Sequence, residues 1–422
     1  MLFSLNGRQH SLHSYKMNKK ERSAAASSYS STRKTLSSTC LTGKARAYVA
    51  EQVGKKFTKH VDRNPKKRHK KKQNNTILLC VPEGESVLKG ERDNVFYMFD
   101  WSLGKGESGI SENDPSSFPH SRVFHVESLL ENSSVDWKEV EKRDANVIIY
   151  KESKDKSSDD SIFVCAKVSK RQARELRNKS ETSLEKIRQL FSESFEGKPT
   201  VPRGESRGGF GDDYICYGWT HRFTRMLHHY VFLKKTSLEK QDTLRKGIDK
   251  IAQGLEDVAV RVMRGVRNFK KFYAIKKFID LPSVSTGTNE KDELIGICTQ
   301  MAVAFNGYQS KLHIDDDFFL SILSVVSACP SRDDEIIYYF NFPTFNLSVP
   351  MRPGDILIFD SNFQHCCSNP KNKADYIYSM YVSNAAVDTK MREVYRKEVL
   401  KEKDASNSDV MDKHVHKKKK KE

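Results

Sequence analysis

His313 and Asp315 stand one residue apart in KLHIDDDFF, and His365 follows several strand-length segments later in NFQHCC. Two imidazoles and one carboxylate are the ligand set that suits non-haem Fe(II), and three protein ligands on one face leave the other positions open for a cosubstrate and O₂. In a strand, residues i and i+2 point to the same side, so His313 and Asp315 can grip one ion while Ile314 turns into the opposite layer. The third ligand has to be carried back by other strands.

The flanking sequence supplies such strands. IGICTQMAVAF alternates and ends in a turn at Asn306-Gly307. After the His-x-Asp pair come SILSVVSA, EIIYYFNF, FNLSVPM, ILIFD and DYIYSMYV, rich in Ile, Val, Tyr and Phe and separated by Pro, Gly, Asn and Asp. Pro353-Gly354-Asp355 makes a turn into the strand just ahead of His365. A chain that leaves and returns in this way builds a double-stranded β-helix, or jelly roll. A His-x-Asp pair alone is a weak signal, but its place before a β series, a PGD turn and a His makes it stronger. The competing reading takes His313 as a turn residue, Asp315 to Asp317 as a solvated acidic patch and His365 as a loop histidine.

On these residues, the region from about Leu294 to Val387 resembles the Fe(II)/2-oxoglutarate-dependent dioxygenase superfamily. The stretch QMAVAFNGYQSKLHIDDD is similar to its Tet/JBP-type nucleic-acid oxygenases and to uncharacterised relatives in algae and diatoms. The resemblance covers about a quarter of the chain. It implies iron ligands at His313, Asp315 and His365, an Asn-containing turn at Asn306 ahead of the pair, and Fe(II), 2-oxoglutarate and O₂ as the reaction's cofactors. One departure stands out. The family places an Arg or Lys past the distal His, in a pattern like Arg-x-Ser, to hold the far carboxylate of 2-oxoglutarate, and here Ile377 occupies that place. A carboxylate in a partly dry pocket wants a cation or several donors. Lys373 heads the candidates, followed by Lys371 and Arg352, with the Tyr376 or Tyr378 hydroxyl assisting.

A chain of 422 residues can bury a substantial core and hold more than one domain. Its net charge of +18 is concentrated at the two ends, which suit polyanions such as nucleic acid, ribosomes or acidic surfaces. Eight cysteines without CxxC spacing argue against a zinc site or a disulfide framework, and Cys366-Cys367 reads as buried strand cysteine. No run of 18 apolar residues offers a transmembrane helix. The Ser/Arg/Lys-rich start suits a disordered basic arm or an organelle transit segment. PKKRHKKK at 65–72 suits a nuclear address or a merely solvating charge run.

Along the chain, the expectation is a disordered basic arm over 1–75 and an accessory α/β module over 76–168. A helical support region follows over 169–293, then the jelly-roll core over 294–390 and a helix with a basic tail over 391–422. Within the support region, 237–280 has apolar residues at steps of three and four, marking one long helix or two broken near Gly254 or Gly265. Its cationic back, with Lys246, Lys250, Arg261, Arg264, Arg267, Lys270, Lys271, Lys276 and Lys277, could lie on a DNA or RNA backbone. His228-His229 reads as a neighbouring pair on a helix surface. The fold class is therefore α+β, a jelly roll buttressed by helices with an N-terminal accessory module and disordered basic termini. The function expected is an iron- and 2-oxoglutarate-dependent dioxygenase acting on a nucleic-acid base. The alternatives are a prolyl or lysyl hydroxylase, or a jelly-roll nucleic-acid-binding module without catalysis. No membrane association is expected.

Overall fold

The structure is a computed structural model. It describes residues 38–61, 76–82, 96–100, 121–125, 133–151 apart from 144, 162–176, 183–195, 201–202, 209–210, 213–220, 228–231, 238–284 apart from 265, and 296–400 apart from 306–308, 311, 316, 369–371 and 373–374. In chain order the strands are β1 (Thr76–Val81), β2 (Phe96–Asp100), β3 (Ser121–His125), β4 (Asn146–Lys151), β5 (Ile162–Val168), β6 (Val201–Pro202), β7 (Gly209–Phe210), β8 (Asp213–Thr220) and β9 (His228–Val231). They continue with β10 (Gln300–Phe305), β11 (Gln309–Ser310), β12 (Asp317–Val326), β13 (Tyr338–Phe342), β14 (Leu347–Met351), β15 (Ile356–Asp360), β16 (Cys366–Cys367) and β17 (Tyr376–Ser383). The α-helices are α1 (Ser38–Val61), α2 (Trp137–Lys142), α3 (Lys170–Leu176), α4 (Leu184–Phe195), α5 (Leu238–Met263), α6 (Arg267–Phe278) and α7 (Asn384–Tyr395).

The eight segments from β10 to β17 wind as a jelly roll. One layer runs β15-β12-β17-β10, with every neighbour antiparallel. The facing layer runs β14-β13-β16. Ser310 in β11 and Cys367 in β16 join the last edge, through Cys367 N–H donating to Ser310 Oγ at 2.9 Å. Strand parity separates two cores. On β17, Tyr378, Met380 and Val382 face a helical layer with Ile251, Leu255, Val258 and Phe272. Ile377 faces inward among Leu323, Val325, Phe340 and Phe359. This is the period-2 behaviour of a strand buried on both sides.

Three strands of the accessory region join the sheet of the roll, while β2 and β3 pair with each other. β1, β4 and β5 extend the larger jelly-roll layer beyond β15, with β5 antiparallel to β15 from Ile356↔Val168 to Phe359↔Cys165. β8, β6 and β9 extend the opposite side beyond β10. The residues read as a helix surface at His228-His229 are therefore strand β9, paired with β8. Apolar strands on both flanks of the roll find their backbone partners in it, because a buried edge with unpaired N–H and C=O groups is costly.

The basic arm also needs correction. Residues 38–61 form α1, whose Ala45, Val49 and Val53 are buried at four-residue intervals against the helical core. Arg46 donates from Nε to Asp388 Oδ1 at 2.7 Å, tying α1 to α7. Residues 1–37 and 62–75, with the PKKRHKKK cluster, lie outside the described residues, as do 401–422.

The apolar stripe of 237–280 breaks near Gly265 into α5 and α6. Its cationic back is interrupted. Lys276 is 2% exposed and donates to the Leu281 carbonyl at 2.9 Å, while Lys246, Lys250, Arg264, Lys270, Lys271 and Lys277 remain on the surface. Burial pushes the Lys276 ammonium below its usual range, and Glu256 opposes that shift. Glu256 in turn accepts from the Ile297 and Cys298 N–H groups at 2.7 Å each, fixing the approach to β10.

Candidate metal centre

The two histidines are held by backbone pairing. His313 and His365 form an antiparallel β-bridge, with His313 N–H donating to His365 O at 3.0 Å and His365 N–H donating to His313 O at 2.9 Å. Asp315 N–H donates to the Ser361 carbonyl at 3.2 Å, which pins the segment between His313 and β12. Ile314, expected in an opposite layer, is 55% exposed, because its side of this edge faces solvent.

The side chains converge. His313 Nε2 lies 3.1 Å from Asp315 Oδ1, and His365 Nε2 lies 3.2 Å from Asp315 Oδ2. One ligand atom from each of the three falls within 4.8 Å of the others. Adjacent ligands on an octahedral ion with bonds of about 2.1 Å sit roughly 3 Å apart, so the set fits a shared ion of first-row size. Burial works against the charge of Asp315, but hydrogen bonds from His313 and His365 hold its carboxyl well below the usual carboxylate range.

His365 is 2% exposed and its orientation is set on every side. Its Nδ1 lies 2.8 Å from the Phe363 carbonyl. A carbonyl only accepts, so Nδ1 carries a proton, and Nε2 is the ring nitrogen turned toward Asp315. Phe340 stacks on the imidazole at 5.2 Å between centroids and 20° between planes, and Phe359 meets it edge-on at 5.1 Å.

The three side chains open onto a cavity of about 230 Å³, lined also by Ala302, Ala304, Ser310, Asp317, Ser321, Leu323, Phe340, Phe359, Cys367, Ile377, Ser379 and Tyr381. Asp317, Ser379 and Tyr381 escaped the sequence reading, although parity could have found them. Asp317 continues the odd-numbered series from His313 and Asp315, and Ser379 and Tyr381 continue that of Ile377. A register shift on β12 between Asp317 and Ser321, with Phe319 at φ 73°, accompanies the placement of Asp317 at this wall.

Three of the residues expected at the far carboxylate of a cosubstrate, Tyr376, Tyr378 and Arg352, fall elsewhere. Tyr376 and Tyr378 have even parity and pack against Phe191 of α4, outside the roll. Arg352 turns away to pair with Glu141 of α2 and donates from Nε to the Asp334 carbonyl at 3.1 Å. Lys371, Lys373 and Asn306 lie outside the described residues. The PGD turn serves as a frame. Gly354 takes φ 88°, and Asp355 accepts from Lys170 N–H at 2.8 Å and from Arg352 N–H at 3.1 Å while pairing with buried Lys167 at 3.3 Å. Cys366 and Cys367 are buried in strand β16, as expected.

No protein-family profile matches the chain, and no curated protein matches it. Solved structures similar to it include NgTET1 in complex with 5mC DNA, at 15% identity over 57% of this chain and 77% of that one, with a TM-score of 0.36. A prolyl-4-hydroxylase from Pseudomonas putida is 11% identical over 52% of this chain and 93% of its own, with a TM-score of 0.26. A 2OG-Fe(II) oxygenase family oxidoreductase from Burkholderia pseudomallei is 13% identical over 47% and 78%, with a TM-score of 0.25.

Proposed function

We propose that this chain is a non-haem Fe(II) oxygenase that uses a 2-oxo acid and O₂ to oxidise its substrate. The observation that carries the reading is the convergence of His313, Asp315 and His365, two imidazoles and a carboxylate, at the wall of a cavity inside a jelly roll. When bound, ferrous iron would supply the activation of O₂ that side chains alone cannot perform. The protein's part is geometric. His313 Nε2, one oxygen of Asp315 and His365 Nε2 would hold the ion, leaving its remaining positions toward the cavity. The Phe363 carbonyl keeps a proton on His365 Nδ1, and Phe340 and Phe359 fix the ring and keep that side of the site dry. The resemblance implies 2-oxoglutarate as the 2-oxo acid.

For the substrate, we propose a base of DNA or RNA. Support comes from the +18 net charge, the Lys/Arg-rich ends and the exposed lysines of α6. Such a base must be flipped or single-stranded to reach an ion inside the roll. The 65–72 cluster makes a nuclear address the accompanying proposal, with an organelle transit segment as its alternative. A prolyl or lysyl side chain is the runner-up substrate. Among the described residues no helix is long and apolar enough to cross a membrane.

The test is an anaerobic titration of the purified protein with Fe(II), followed by a 2-oxo acid. One ion per chain and a visible charge-transfer band on adding the acid are expected. Failure to retain iron would overturn the reading.

A further inference from the structure

The cavity has a direction. Along β17 its inward residues are Tyr381, Ser379 and Ile377, and they pair on β12 with Ser321, Leu323 and Val325 in turn. Asp315 lies just before β12 begins, so the rung of Ile377 is the one furthest along the strand from the metal ligands. At that rung Ile377 is 4% exposed and is flanked by Ala304 on β10 and Val325 on β12. The wall there is apolar. At the other end stand the Ser321 and Tyr381 hydroxyls and Asp317.

Charge tells the same story. Apart from the metal ligands, the charged side chain lining the cavity among the described residues is Asp317, an anion. Three described arginines near the roll are committed elsewhere. Arg352 pairs with Glu141, Arg332 with Asp375 at 3.0 Å and Arg188 with Asp333 at 2.6 Å. A second carboxylate pushed against Ile377 would lose water and meet hydrocarbon, which is strongly unfavourable without a donor or counter-charge. A methyl or branched alkyl group there would exchange water for Ala304, Leu323 and Ile377.

Resting on the oxygenase reading above, we infer that the 2-oxo acid this cavity takes ends in a short apolar group rather than in a second carboxylate. Its 2-oxo-carboxylate end goes to the metal, and its tail lies on the rung of Ile377. This departs from the 2-oxoglutarate that the resemblance implies, and Ile377 is the residue that determines the difference.

The experiment uses the full chain, anaerobic and loaded with Fe(II), titrated separately with 4-methyl-2-oxopentanoate, pyruvate and 2-oxoglutarate while the charge-transfer band is recorded. Half-saturation by 4-methyl-2-oxopentanoate at a concentration at least about tenfold below that for 2-oxoglutarate is expected. Equal or tighter titration by 2-oxoglutarate overturns the inference and leaves the oxygenase reading intact. No band with any acid overturns the oxygenase reading, and this inference with it. In Ile377→Arg the order should reverse, with 2-oxoglutarate gaining about tenfold. An unchanged order in a variant that keeps its Tm and its iron would also overturn the inference. The unsubstituted protein decides the matter if that variant does not fold.

Discussion

His313 and His365 face each other across one antiparallel rung, with ring centroids 4.4 Å apart and a backbone hydrogen bond in each direction. The separation of the two imidazoles is therefore set by main-chain pairing, before any ion arrives. Loop-borne ligands would have to be ordered by the metal itself, at an entropic cost of roughly 1–2 kcal/mol per residue.

Substitution should separate metal affinity from stability at these two positions. His313→Ala removes a partly exposed ring, so Fe(II) affinity is expected to fall at least about 100-fold with little change in Tm. His365→Ala removes a ring packed between Phe340 and Phe359 and should also destabilise the fold by about 2–4 kcal/mol. Anaerobic metal titration and urea unfolding of both variants check the contrast. An equal loss of stability in the two would contradict the difference in burial, 32% against 2% exposed side chain.

Asp355 joins the PGD turn to β5 and α3. Lys167→Met strands its carboxylate in a site where both side chains are nearly buried, at 6% and 4% exposure. The expected loss is about 3–5 kcal/mol, measured by chemical denaturation. Changing both partners, Lys167→Met with Asp355→Asn, should recover part of it, since the amide oxygen can still accept from Lys170 N–H.

How far these features were legible beforehand follows from the range of the signals. The convergence of His313, Asp315 and His365 is readable because i, i+2 parity and a PGD turn are local. Even the departure at Ile377 was readable, since it is one position in a short pattern. The pairing of β5 with β15 links residues near 166 to residues near 358 and leaves no local trace in either segment. The helix over Ser38–Val61 was missed for a different reason. Its Ser, Lys and Arg content suggested a solvated arm, while the four-residue spacing of Ala45, Val49 and Val53 was present all along. Tyr376 and Tyr378 were placed near the site by proximity in sequence, which parity forbids.

A charge inside α1 tests that helix. Val49 is fully buried, and Val49→Asp places an unpaired carboxylate against the helical core. A loss of at least about 3 kcal/mol is expected. A thermal melt within a degree or so of the parent would mean that residues 38–61 do not pack as described.

Asp360, at the end of β15, gives a pH-dependent outcome. Burial pushes its carboxyl above the ordinary value of 3.8, against hydrogen bonds from Asn362. Between the unfolded and folded values the folded chain binds the extra proton, so stability falls as pH rises through that window and the full penalty is present at neutral pH. Asp360→Asn keeps an acceptor for Asn362 N–H and removes the charge. Its Tm should exceed the parent's at pH 7, with the gap closing as pH drops toward 4. A gap that widens on acidification would contradict the sign.

β15 and β10 are the rims of the jelly roll's larger layer, and each is zipped to a strand from far upstream. A fragment trimmed to the roll alone would bare two rows of amide and carbonyl groups, ready to dock onto other copies. Tests of the proposed chemistry therefore call for a chain that keeps β5 and β8. Aggregation of a shorter piece would report on its raw borders and say nothing about the chemistry within.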